Sequence, residues 1–101
     1  GRIDNIIISG GIKFMPEQIE EKLAKEMPLP YAIGSVSDEH LAEKIILLIE
    51  GAADEEIKST IATHCTELLS KYEQPKEIRF IEKLPRTANG KIDRKRLKST
   101  E

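Results

Sequence analysis

The residue of this chain best placed to do chemistry is Lys91, in the run Pro85-Arg86-Thr87-Ala88-Asn89-Gly90-Lys91-Ile92-Asp93-Arg94-Lys95. Asn and Gly both tolerate positive φ, so Asn89-Gly90 predicts a tight turn with the lysine at its tip. A lysine there offers a compact positive charge on a flexible stem, suited to phosphate or carboxylate oxygens on another surface. The bland alternative is an ordinary solvated hairpin. Charge distribution favours the first reading. From Pro85 onward the chain carries six Lys/Arg against two Asp/Glu, while the preceding eighty-four residues carry ten against sixteen. The tail is therefore expected to meet something anionic.

Other chemistry-bearing residues point less far. Ser9-Gly10-Gly11 lacks the fuller spacing of a phosphate loop, and reads as a tight turn or as a place where backbone approaches a ligand closely. His64 and Cys65 are neighbours on a predicted helix and do not share a face, which argues against a metal pair or a Cys–His nucleophile. Cys65 reads as a small buried hydrophobe. His40 falls in a polar turn with no evident partner. Glu17, Glu20 and Glu21 read as a solvated helix face rather than a catalytic carboxylate pair. No metal site is expected.

These residues need a scaffold, and composition bounds it. The 101 residues suffice for one small domain, and 39% hydrophobic with 34% charged is a globular balance. With 4% aromatic residues and no Trp, the core must be aliphatic. A single cysteine excludes an internal disulfide, which suits a cytoplasmic setting. The longest apolar run, Ile45–Ile49, is too short to cross a bilayer. The chain opens on Gly1-Arg2-Ile3-Asp4 with no Met, so a piece of a longer protein is expected.

The pattern of elements follows from local signals. Ile6–Ile8, the glycine turn and Ile12–Phe14 read as a β-hairpin. Pro16 opens a helix with an apolar stripe at Ile19, Leu23 and Met27, ended by Pro28. Tyr31–Val36 and Lys44–Glu50 read as strands around a turn or helical turn at Ser37–His40. The continuous apolar run in the second of these predicts a strand covered on both faces. Asp54–Tyr72 reads as one long helix with a stripe at Ile57, Ile61, His64/Cys65, Leu68 and Tyr72. Lys76–Ile81 is a third strand, with Ile78, Phe80 and Leu84 alternating, and Asp93 caps a last helix through Leu97. The expected fold class is α+β: a small mixed sheet with helices packed on it, preceded by a short hairpin.

Two motifs at opposite ends together carry a resemblance. Gly1-Arg2-Ile3-Asp4-Asn5-Ile6-Ile7-Ile8-Ser9-Gly10-Gly11, leading to Pro16-Glu17-Gln18-Ile19-Glu20, resembles the hinge motif of the AMP-forming adenylating enzymes. That superfamily comprises acyl- and aryl-CoA synthetases, nonribosomal peptide adenylation domains and firefly luciferase. Leu84 to Leu97 resembles its last motif, and Leu69-Ser70-Lys71-Tyr72 with Pro75 fits the usual approach to it. The resemblance implies a single mobile C-terminal domain, residues 1–101, of a larger enzyme whose ATP-binding domain lies upstream. Within it, 1–4 would form the hinge region, 5–15 a hairpin lining the CoA tunnel, and 85–97 the catalytic-lysine loop and final helix.

Carried over by position, the resemblance makes Lys91 the adenylation lysine, Asp4 the hinge residue and Arg2 a contact to the ATP or AMP nucleotide. Gly10 and Gly11 would line the pantetheine tunnel, placing two functional faces on opposite sides of the domain. ATP and CoA are the implied co-substrates, with Mg2+ on the large domain, and a carboxylic acid is the substrate. Neither a nucleic acid nor a membrane is an implied partner. For the basic residues after Lys91 two readings stay open, attraction of phosphates and a solvated helix. The chain departs from the family pattern at Met27–Val36, which is shortened, and at Ala42, which stands where the family has glycine. Ile7-Ile8-Ser9-Gly10-Gly11-Ile12-Lys13 looks closest to the o-succinylbenzoate–CoA ligases of menaquinone synthesis. An adenylation domain that loads a carrier protein is the alternative. A chain ending at Glu101 is expected to favour the free-standing ligase over it. A stand-alone binding module with a basic tail is the reading from another class, and it lacks an aromatic stacking platform.

Overall fold

The five residues Ile45–Ile49 divide alternately between two cores. Ile45, Leu47 and Ile49 enter one, and Ile46 and Leu48 enter the other. This is what a strand buried on both faces must do, since successive side chains point to opposite sides of a sheet. A computed structural model of the chain describes residues 6–98. Along it run β1 (Ile7–Ser9), β2 (Ile12–Phe14), α1 (Pro16–Leu23), β3 (Tyr31–Asp38), β4 (Ala42–Glu50), α2 (Glu55–Leu68), β5 (Glu77–Ile81) and α3 (Arg94–Lys98). Single 3-10 turns follow α1 at Ala24–Glu26 and α2 at Lys71–Glu73.

The sheet is mixed. β3 pairs antiparallel with β4 along its whole length, from Tyr31 opposite Ile49 to Asp38 opposite Ala42. The other edge of β4 is shared: β1 touches it at its start, Ser9 opposite Ala42, and β5 runs parallel along its end, Ile46 opposite Glu77 to Glu50 opposite Ile81. β2 pairs with β1. The larger core lies under α1 and α2, where Ile19, Leu23, Ile61, Cys65 and Leu69 meet Ile7, Phe14 and Ile33. The smaller core joins Ala32, Val36, Ile46 and Leu48 to Leu84 and to Leu97 of α3.

This is the expected α+β class and order, with differences of detail. The sheet continues through Ser37 and Asp38, so the expected turn there is confined to Glu39–Leu41. The Asp38 carboxylate closes it by accepting from the His40 and Leu41 amides at 3.0 and 2.8 Å. α2 stops at Leu68 rather than Tyr72. Its end is held by the Gln74 side-chain amide, which donates to the carbonyls of Cys65 and Leu69 at 2.8 and 2.9 Å. Ser70 and Glu73 then form a capping box that starts a separate turn. The buried stripe is therefore Ile57, Ile61, Cys65 and Leu69, while Leu68 and Tyr72 are exposed. Leu84 also departs from the expected alternation: Ile78 and Phe80 pack on the larger core, and Leu84 in the smaller.

Candidate functional site

Gly10 and Gly11 form a two-residue loop between the paired residues Ser9 and Ile12, with φ of +59° and +83°. Positive φ at both loop residues is the requirement of the tight hairpin turn that matches strand twist, so the local geometry alone explains both glycines. The Gly10 amide donates to the Leu41 carbonyl at 2.9 Å, seating this turn on the β3–β4 turn. A Cβ at Gly10 would lie 3.3 Å from Leu41 Cδ2, whereas one at Gly11 would meet open space. Glu43 braces the hairpin from β4: its carboxylate accepts from the Ile8 amide at 3.0 Å and from Ser35 Oγ at 2.7 Å. Ile8 and Ile12 remain exposed on it.

Lys91 sits at the tip of a second hairpin, with its side chain exposed. The Gly90 amide donates to the Thr87 carbonyl at 2.9 Å, and the Thr87 amide to the Lys91 carbonyl at 2.7 Å. Gly90 has φ +84°, and Asn89 is not in the left-handed region. The loop is thus the three-residue kind closed by a left-handed glycine, not the two-residue turn that Asn-Gly alone suggests. Below the tip, Arg86 bridges to Ile92 and the Asp93 amide donates to the Pro85 carbonyl at 2.9 Å.

Carboxylates hold the feet of this hairpin. Glu50, at the end of β4, accepts from the Leu84 amide and from Arg86 Nη1, each at 2.9 Å. These bonds hold its carboxyl below the usual range. At the other foot Asp93 caps α3, its Oδ1 accepting from the Arg96 amide at 3.4 Å. Arg94, the first residue of α3, donates bidentately to Glu20 of α1, Nη1 to Oε2 at 2.5 Å and Nη2 to Oε1 at 2.7 Å. Glu17 Oε2 lies 3.6 Å from Arg94 Nε. The same Glu20 carboxylate accepts from the Ile33 amide at 2.8 Å, and Arg94 reaches the Ile33 carbonyl at 3.4 Å. The pair therefore covers the outer edge of β3, beside which no strand lies among the described residues. Glu20 raises the Arg94 pKa, so the guanidinium stays charged. Both side chains are only 16% exposed.

Two expectations need correcting here. Glu20 is not on a solvated helix face; it is turned inward onto Arg94 and β3, while Glu21 is exposed. Arg94 is not part of a free basic tail, because an acid from the first helix already neutralises it. A sequence signal for this existed. Asp93 fixes the start of α3, and Arg94 then shares a face with Leu97, at i and i+3, which is buried. Cys65 is buried as expected, and burial pushes its thiol pKa up. His64 lies half-buried near Glu26 and Glu67. Among the described residues no three His, Cys, Asp or Glu cluster as metal ligands, and no helix is long and apolar enough to cross a membrane. Arg2 and Asp4, the expected nucleotide contact and hinge, lie outside the described residues.

Gly10-Gly11 and Lys91 are not brought together. β1 joins β4 at Ala42, and the lysine hairpin joins it through Glu50. Those residues are the two ends of a nine-residue strand. At about 3.3 Å per residue they stand roughly 26 Å apart.

The domain is thus a small mixed sheet with a glycine hairpin at one end of its central strand and a lysine hairpin at the other. Residues 31–91 match the AMP-binding enzyme C-terminal domain, and the chain belongs to that family. It is 36% identical over 104 residues to the benzoate–CoA ligase of Thauera aromatica, covering 98% of this chain and 20% of that enzyme. To the 2-succinylbenzoate–CoA ligase of Lactococcus lactis it is 36% identical over 99 residues, covering 96% and 21%. An acyl-CoA synthetase (AMP-forming)/AMP-acid ligase II-like crystal structure from Dyadobacter fermentans superposes with a TM-score of 0.82 at 30% identity. That match covers 96% of this chain and 29% of the other. The chain thus spans about a fifth of the length of the curated relatives it matches.

Proposed function

We propose that this domain is the mobile lid of an ATP-dependent, AMP-forming acid–CoA ligase and that Lys91 acts in the first of its two half-reactions. In that half-reaction a carboxylate oxygen attacks the α-phosphorus of ATP, the bond to the β-phosphate breaks, and pyrophosphate leaves. Two anions must approach each other, and Lys91 would bridge the carboxylate and an α-phosphate oxygen, offsetting the charge as it gathers. In the second, the CoA sulfur attacks the acyl carbon and AMP leaves. There the Gly10-Gly11 turn would face the pantetheine arm, where backbone without Cβ atoms permits close approach.

The observation that carries this reading is the separation of the two hairpins, anchored at opposite ends of β4 with Lys91 exposed at a braced tip. A domain built this way presents one hairpin or the other to a common site by rotating, which needs only a few hinge residues. Asp4 is the proposed hinge, and Arg2 the proposed contact to nucleotide. The partner is a large ATP-binding domain, which would also hold Mg2+ beside ATP. The run Ile7–Lys13 and the likeness to 2-succinylbenzoate–CoA ligases support an aromatic acid such as 2-succinylbenzoate as substrate, and the lone cysteine supports a cytoplasmic setting.

The test is to separate the half-reactions in the full-length ligase. Lys91→Ala is expected to slow pyrophosphate release about 10²- to 10³-fold, the scale of losing one preorganised charge contact. Thioester formation from supplied acyl-adenylate should persist. Equal loss in both steps would contradict the role.

A further inference from the structure

We propose that the Glu20–Arg94 ion pair is a positioning couple for Lys91, holding the lysine hairpin at the angle from which its ammonium reaches the reacting groups. The inference rests on the reading of Lys91 as the adenylation lysine, and it is carried by how the hairpin is tethered. No strand pairs with the hairpin from outside among the described residues. Its direction is therefore set at its two feet. One foot is tied to β4 by Glu50. The other runs through the Asp93 cap into α3 with no spare residue, so Arg94 lies only three positions after Lys91.

Arg94 is fixed in direction as well as in place. Its fork meets both oxygens of Glu20, at 2.5 and 2.7 Å, an arrangement that specifies angle and not only proximity. Glu20 is in turn fixed to the sheet by the Ile33 amide at 2.8 Å. The path from β3 to the foot of the lysine hairpin thus runs through hydrogen-bonded side chains, Glu20 and Arg94. The glycine hairpin does not depend on this path. It has its own ties to β4 and its turn, through Ser9, Gly10 and Glu43. Loosening Arg94 should therefore disturb adenylation and leave thioester formation alone.

Arg94→Lys keeps the charge and loses the fork, and Glu20→Gln keeps an acceptor for Ile33 and loses the charge. In this chain, amide exchange at Thr87 and Asp93 is expected to quicken about tenfold or more in either variant, with Gly10 unchanged. In the full-length ligase, kcat for pyrophosphate release should fall about 10- to 100-fold, as a small misplacement of a reacting group does. KM for ATP and for the acid should hold, and thioester formation from supplied acyl-adenylate should be retained. Unchanged exchange at Thr87 and Asp93, or equal losses in the two half-reactions, overturns the proposal. If Arg94→Lys fails to fold, Glu20→Gln carries the same test. Lys91→Ala measured alongside separates the claims: full adenylation by that variant overturns the reading of the lysine, while amide exchange still decides whether Arg94 holds the hairpin.

Discussion

In the glycine hairpin, Ile7 and Phe14 enter the larger core and Ser9 pairs with Ala42 of β4. The lysine hairpin drops Leu84 into the smaller core but has no partner strand among the described residues, and its feet are fixed by Glu50 and by Glu20 through Arg94. One is therefore an extension of the sheet, held by apolar burial and backbone pairing with one carboxylate brace, Glu43. The other stands off the sheet with Leu84 and Ile92 against the smaller core, and takes its remaining ties from charged struts. Apolar anchors are insensitive to pH and salt, whereas ion pairs respond to both.

The comparison is broken most severely at Ile7, which is 1% exposed. Ile7→Ala removes buried methyl groups at the root of the glycine hairpin and is expected to cost about 3 kcal/mol. Thermal or denaturant unfolding measures it. If the two hairpins are held independently, exchange at Gly10 should quicken more than exchange at Thr87 in conditions where the domain stays folded. Equal changes at both would mean that they share one support.

Local signals carried much of this architecture. The run Ile45–Ile49 specified a doubly covered strand because alternation acts residue by residue, and Gly10-Gly11 specified a turn because few other residues accept its φ. The end of α2 was less legible. Its stop is a side-chain amide, Gln74, and a capping box at Ser70 and Glu73, where periodicity alone ran on to Tyr72. Which acids the struts of the lysine hairpin meet was illegible for a different reason. Arg86 finds Glu50 across 36 positions and Arg94 finds Glu20 across 74. Charge along a sequence counts these arginines as a basic tail, because nothing local says which acids the fold brings to them. The lysine hairpin itself was visible in the sequence, and the acids that hold its feet were not.

A smaller effect sharpens the first side of the comparison. Ala42 is the point where β1 joins β4, and it holds φ +74°, the left-handed region. A side chain there is strained by about 1–2 kcal/mol, and glycine relieves this at some cost in unfolded-state entropy. Ala42→Gly is expected to stabilise the chain by about 1 kcal/mol, read as a rise in Tm of roughly 4 °C. Because the gain lies at the root of the glycine hairpin, Gly10 exchange should slow and Thr87 exchange should not. An unchanged or lower Tm would mean that the strain is already relieved elsewhere in the β3–β4 turn.

The smallest effect tests the other side through pH. The Leu84 amide, then Arg86, lower the Glu50 carboxyl pKa in the folded chain. A carboxylate with a depressed folded pKa adds stability that is complete above its unfolded value, about 4.3, and that is lost as pH falls through the folded value. Acid should therefore loosen the lysine hairpin by unpinning its first foot. Protection of the Thr87 amide is expected to decline below about pH 4, while Gly10, whose amide bonds a backbone carbonyl, declines only with the whole domain. Glu50→Gln should abolish the part of that slope due to Glu50 and lower Thr87 protection already at neutral pH. A slope at Thr87 that survives this substitution would mean that the Glu50 carboxylate is not what makes the first foot acid-sensitive.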